Sequence, residues 1–165
     1  MVDIFASSDV FTAYEIGACD DGTFINELIT VFGLDVTPDE ASLLWQKWVG
    51  QTYVGTKAAL LKLHKNYVTA CLSNTNALHW AWLPKHIDME KHFEYRYASH
   101  IIGAAKPHAP CYQYAIADMG VLSRDIWFFD DTLANVEAAQ KLGMSAFHVD
   151  RKVGVIPNLK ELGLI

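Results

Sequence analysis

The sequence predicts an α/β fold: a parallel sheet covered by helices on both faces, with a helical block beside it. Short apolar, β-branched or aromatic runs alternate with helical segments through the second half of the chain, the pattern of parallel strands joined by crossover helices. Among them, Ile126-Trp127-Phe128-Phe129 ends in the adjacent carboxylates Asp130 and Asp131 and passes at once into a helix. Four successive apolar residues fit a strand covered on both faces, and ligands of such sheets bind at the carboxyl ends of strands. Residues 10 to 66, by contrast, read as wholly helical.

Taken in order, Val2-Asp3-Ile4-Phe5-Ala6 reads as a short first strand and Ser7-Ser8-Asp9 as a turn. Phe24, Leu28, Ile29 and Phe32 then share one helical face, and Gly33 stops that helix. Thr37-Pro38-Asp39-Glu40 supplies an N-cap, a proline at the first helical position and an acid at the third, which starts the helix carrying Leu43, Leu44, Trp45 and Trp48. A further helix covers about 54–64. Residues 67–72 predict a strand, closed by the polar turn Ser73-Asn74-Thr75-Asn76 before a segment with His79, Trp80 and Trp82. A shorter strand at 95–99 leads to Gly103-Ala104-Ala105-Lys106-Pro107, and a helix over 108–119 precedes the Asp130 strand. Thr132 is placed to cap the helix 133–142, Gly143 closes it, and 146–149 form a last strand.

With 165 residues, 52% of them hydrophobic and 19% charged, the chain suits one cored domain with a small appended lobe. Its net charge of −6, with no cluster of lysines or arginines, argues against a nucleic-acid or anionic-membrane partner. No apolar run reaches membrane-spanning length, and Met1-Val2-Asp3 lacks the basic lead of a signal segment. Cys19, Cys71 and Cys111 are odd in number and show no metal-binding spacing, so reduced thiols in a cytoplasm are expected.

Three polar points fall after three strands: Ser73 with Asn74, Lys106, and Asp130 with Asp131. A hydroxyl, an amide, an ammonium and a carboxylate pair at one sheet edge suit a phosphoryl group, with a hard metal such as Mg²⁺ offsetting the paired acids. Singly, each has a plainer reading: Ser73 as a helix cap, Lys106 as a solvated surface residue, the two aspartates as a capping turn without metal. His64, His86, His92, His100, His108 and His148 show no ligand spacing and read as surface or packing residues. Trp45, Trp48, Trp80 and Trp82 are expected to fill the helical block and its contact with the sheet, with a sugar-stacking platform as the alternative.

The motifs resemble those of the haloacid dehalogenase-like superfamily. Leu72-Ser73-Asn74-Thr75-Asn76 with His79, Gly103 with Lys106-Pro107, and Phe129-Asp130-Asp131 with Asn135, Ala138 and Gly143 look like its second, third and fourth motifs. Their form is similar to the sugar-1-phosphate phosphatases and the phosphatase domain of soluble epoxide hydrolases, and Tyr14-Glu15-Ile16-Gly17 with Phe24 resembles the cap of that branch. The resemblance implies a Rossmann-like core over 1–8 and 67–165, with a shortened helical cap over 9–66. It also implies that Ser73, Asn74 and Lys106 bind phosphate, that Asp130 and Asp131 hold Mg²⁺, and that His79 lies near the pocket.

The family's first motif carries a nucleophilic aspartate that also ligates the metal. Aligned on the first strand, Ala6 takes that position and Ser8 the place of the acid/base aspartate. Asp3 falls inside the strand, Asp9 fits only in a poor register, and Ser8 has no base identified beside it. Weak Mg²⁺ binding is therefore expected, with Lys106 turning to Asp130 or Asp131. Three readings follow: a disabled relative that binds a phosphorylated metabolite or protein, a working Mg²⁺-dependent phosphatase with an atypical nucleophile, or a structural protein. The shortened, tryptophan-rich cap is expected to expose an apolar patch through which the chain forms a homodimer.

Overall fold

The computed structural model describes residues 8–165, excepting the side chains of 84–86; the expected first strand, with Asp3 and Ala6, lies outside the described residues. Four helices come first: α1 (Asp9–Glu15), α2 (Asp21–Phe32), α3 (Pro38–Lys47) and α4 (Thr56–Leu63). Asp20 caps α2 by accepting the Thr23 N–H at 2.9 Å, and Gly33 ends it at φ 58°. The capping box at Thr37 forms as the sequence predicts, with the Thr37 N–H donating to Glu40 at 2.8 Å. These helices bury Phe11, Tyr14, Phe24, Ile25, Leu28 and Ala41 in one cluster, against which Ile29 and Phe32 pack as the periodicity requires. Each large side chain removed from water there contributes about 1.5–3 kcal/mol.

Helix α3 turns Ala41 and Trp45 inward, one helical turn apart, which leaves Leu43 and Leu44 more than half exposed on its outer side. Trp48 meets the edge of Trp45 at a centroid distance of 5.2 Å but is 53% exposed, so it does not fill the interior as expected.

The remaining elements are β1 (Ala70–Ser73), α5 (Ala77–Ile87), α6 (Met89–His92), β2 (Tyr95–Ala98), α7 (Ser99–Ile102), α8 (Ala109–Met119), a 3₁₀ turn (Ser123–Asp125), β3 (Trp127–Asp130), α9 (Leu133–Lys141), β4 (Ser145–His148) and α10 (Ile156–Glu161). All strand pairing among the described residues is parallel: β1 with β2, aligning Ser73 with Ala98, and β3 with β4, aligning Asp130 with His148. Strand β1 begins three residues later than predicted. The Tyr67 N–H still donates to the Leu63 carbonyl, so the chain leaves α4 late, and the β-prone Tyr67 and Val68 stay exposed. A second cluster of Tyr112, Val136, Ala139, Met144 and Ala146 joins α8 and α9 to β4, with Phe128 edge-on to Tyr112.

Two capping expectations are corrected. Asn76, not Ser73, caps α5, accepting the His79 N–H at 3.0 Å, because the chain runs three residues past Ser73 before turning helical. Thr132 occupies the N-cap position of α9 without a side-chain cap bond, since its hydroxyl lies between Asp131 and Arg151. No helix among the described residues is long and apolar enough to cross a membrane.

Candidate functional site

Among the described residues the strands pair as two separate parallel ribbons, and Lys106 joins the end of β1, where Ser73 stands, to Asp130 at the end of β3. Lys106 is buried, its side chain 10% exposed, and its ammonium donates to Asp130 Oδ2 and to the Leu72 carbonyl, each at 2.7 Å. Its charge also sits 5.6 Å from the Phe128 ring centre. The solvated-surface reading of Lys106 is thereby excluded. Asp130 Oδ1 accepts from the Thr132 N–H at 2.8 Å and from the Asn135 amide at 3.0 Å. A buried carboxylate must be compensated, and here one ammonium and two neutral donors do it.

Asp131 parts from Asp130. Successive side chains at the strand end point to opposite sides, and Asp131 pairs with Arg151 at 2.9 Å, half in solvent. Asn74 is likewise committed: its Oδ1 accepts the Lys106 N–H and its Nδ2 donates to the Lys106 carbonyl, both at 2.8 Å. The amide thus clamps the main chain of the lysine loop. Among the described residues the Ser73 hydroxyl has only a long contact of 3.5 Å, to the neighbouring Asn74 carbonyl, a weak bond that an incoming acceptor would replace.

Around these strand ends stand Ser99, which the motifs did not single out, and Gly17, His79 and Ser8, which they did. Ser99, fully buried, donates toward the carbonyls of Glu15 and Thr75 and accepts the Thr75 N–H at 2.9 Å, joining α1, the turn after β1 and α7. Gly17 (φ 73°) lies against the His100 carbonyl, leaving no room for a side chain. His79 stacks on Trp45 at 4.7 Å and its Nε2 lies 2.7 Å from the Trp45 carbonyl. A carbonyl only accepts, so Nε2 carries the proton and Nδ1 accepts from the Asn76 amide at 3.2 Å. Burial lowers the His79 pKa, favouring this neutral form. Ser8 donates to Glu27 at 3.1 Å, so the carboxylate beside it comes from α2, where only a long-range contact could have revealed it.

A cavity of about 450 Å³ opens between α1, α3 and the turn after β1, lined in part by Glu15, Asn74 and Trp45. Burial raises the Glu15 carboxyl pKa, partly countered by the positive field of Lys106. Among the described residues no three potential ligands lie close enough to hold a metal. Among the described residues Asp130 Oδ2 accepts from Lys106 alone, which leaves one of its lone pairs for a further ligand. That suits a mostly hydrated Mg²⁺ held through one carboxylate together with a phosphate, and not a resident ion in a protein cage.

The sequence profile of haloacid dehalogenase-like hydrolases matches residues 18–143. D-ribitol-5-phosphate phosphatase of Bacteroides thetaiotaomicron is 25% identical over 152 residues, 88% of this chain and 74% of that protein. Among solved structures, a HAD-family enzyme of Bacteroides thetaiotaomicron in complex with magnesium and inorganic phosphate superposes with a TM-score of 0.81 at 27% identity, over 91% of this chain and 79% of that one. An aspartate-to-alanine mutant of that enzyme, also in complex with magnesium and inorganic phosphate, gives a TM-score of 0.80 at 28% identity over 87% of this chain and 74% of that one.

Proposed function

Since the chain belongs to the haloacid dehalogenase-like hydrolases, we propose that it binds a small phosphorylated metabolite at the β1 and β3 strand ends without transferring its phosphoryl group. One observation carries this: the alignment of the first motif sets Ala6 at the nucleophile's position, and a methyl group can neither attack phosphorus nor ligate a metal. Among the described neighbours, Asp130 is engaged by Lys106, Thr132 and Asn135, and the hydroxyl of Ser8, which aligns with the acid/base and not with the nucleophile, donates to Glu27 on α2.

The remaining groups act on an anion. Lys106 has three ammonium donors, of which two are used among the described residues, so one is left for a phosphoryl oxygen, and Ser73 adds its hydroxyl at the end of β1. Asn74 acts through Lys106, fixing where the ammonium stands by holding that residue's N–H and carbonyl. The charge balance requires a cation, because Asp130 already offsets Lys106 and Glu15 adds a negative field. Mg²⁺, held weakly at Asp130, would neutralise and orient the phosphate when bound. Asp131, turned to Arg151, contributes at most through solvent. The mutant neighbour, which holds magnesium and phosphate in its crystal, supports this reading. The phosphatase relative supports the ligand class alone, a small phosphorylated molecule.

The core of 1–8 and 67–165 and the cap of 9–66 belong to the same proposal, as does a reduced cytoplasmic setting, in keeping with three free cysteines. The test is calorimetric titration of the chain with inorganic phosphate, with and without Mg²⁺, beside a turnover assay. Saturable, Mg²⁺-dependent binding that Lys106→Met abolishes, with no turnover, is expected. Absence of binding would leave the structural-protein reading; turnover would leave the working phosphatase, which the phosphatase relative favours.

A further inference from the structure

We propose that Arg151 is an exchangeable counter-ion of the site: it holds Asp131 in the metal-free protein and gives that carboxylate up to an incoming divalent cation, and so sets how tightly Mg²⁺ binds at Asp130. The inference rests on the phosphate and Mg²⁺ reading above and adds the regulation of metal occupancy. It follows from the unequal partners of the two adjacent acids. Lys106 and Asp130 meet at 2.7 Å with side chains 10% and 6% exposed, so neither can leave without stranding a buried charge. Arg151 and Asp131 meet at 2.9 Å with side chains 67% and 45% exposed, and water takes over either partner on separation. One acid is fixed; the other is held by a cation that a stronger one can replace.

The surroundings leave the side chains to move and hold the main chain still. His148 Nε2 donates to the Asp131 carbonyl at 3.1 Å, and the Tyr53 hydroxyl donates to the Arg151 carbonyl at 2.7 Å. The Tyr53 ring lies so close to Gly154 that a Cβ there would stand 2.7 Å from it, which further anchors the loop carrying Arg151. The Thr132 hydroxyl accepts from Arg151 Nη2 at 3.1 Å and makes a long contact of 3.4 Å to Asp131 Oδ1. These contacts too are exposed, and water replaces them at little cost. A divalent ion brings twice the charge of a guanidinium and keeps several of its waters. Freed from Arg151, Asp131 is a second carboxylate that accepts hydrogen bonds from those waters.

The test is calorimetric titration of the full chain with Mg²⁺ in the presence of inorganic phosphate, for the parent, Arg151→Gln, Asp131→Asn and the double variant. Arg151→Gln should bind Mg²⁺ about fivefold more tightly than the parent or better. Asp131→Asn should change the parent little and return the whole gain in the double variant. A second measurement needs only the parent labelled with ¹⁵N. Its Arg151 Nε–H, told from those of Arg96 and Arg124 by its loss in Arg151→Gln, should exchange faster with water once Mg²⁺ is bound. An affinity unchanged in Arg151→Gln, or an Nε–H indifferent to bound Mg²⁺, would overturn the exchange. So would Asp131→Asn weakening Mg²⁺ by the same factor in both backgrounds, which is the mark of a field acting through space. If neither the parent nor Arg151→Gln binds Mg²⁺, the metal reading itself falls, and the exchange with it.

Discussion

Separating Lys106 from Asp130 should be among the costliest single changes available to this chain. The two atoms stand 2.7 Å apart with side chains 10% and 6% exposed. At an effective dielectric constant near 20 the gross attraction is about 6 kcal/mol, most of it offset by desolvation, so the pair's net worth is small. Removing one partner is different, because the other charge stays buried. In Lys106→Met, Asp130 keeps the Thr132 N–H and the Asn135 amide, and about 3 kcal/mol should be lost. In Asp130→Asn the ammonium keeps the Leu72 carbonyl and little else, and about 3–4 kcal/mol should go. The double variant should cost about 2 kcal/mol less than the sum of the singles. Urea titrations of the four proteins give the cycle, and for a chain of this length each single change lowers Tm by roughly 10 °C. Single losses below about 1 kcal/mol, with no coupling, would mean that the pair behaves as a solvated surface contact, and the argument from burial would fail.

Two further outcomes follow from the packing around the site. Gly17→Ala places a methyl group against the His100 carbonyl at a positive φ and should cost more than about 2 kcal/mol, whereas Gly33→Ala, with φ 58° and open space around it, should cost about 1 kcal/mol; equal Tm losses would contradict the difference. His79 has its pKa lowered by burial in the fold, so its contribution is fully present above the ordinary histidine pKa near 6.5 and is lost as pH falls toward the lower folded value. Stability measured from pH 7 to pH 5 should drop less in His79→Gln than in the parent, and Trp45 fluorescence should follow the same titration.

Much of this arrangement was legible in the sequence because it is local. The Thr37 capping box, the Gly33 stop, the Phe24 and Leu28 face, and the carboxylates ending the Trp127 run depend on neighbours a few residues apart, where periodicity and capping chemistry act. The late start of β1 was not legible, since Tyr67 and Val68 have strand propensity but the α4 exit competes for their backbone. At the site, residue types after the strands marked Ser73, Lys106 and Asp130. Their commitments were hidden because they depend on tertiary contacts: Asn74 on Lys106, 32 residues away, Asp131 on Arg151, and Ser99 on Glu15, 84 residues away.

Mg²⁺-dependent hydrolysis of an aryl phosphate by the purified parent, beside Ala6→Asp and Asp130→Asn, decides whether this chain keeps the phosphate site without the nucleophile. A parent no faster than Asp130→Asn, with an Ala6→Asp variant that gains turnover, is expected; a parent that turns over, and loses that activity in Asp130→Asn, would contradict it.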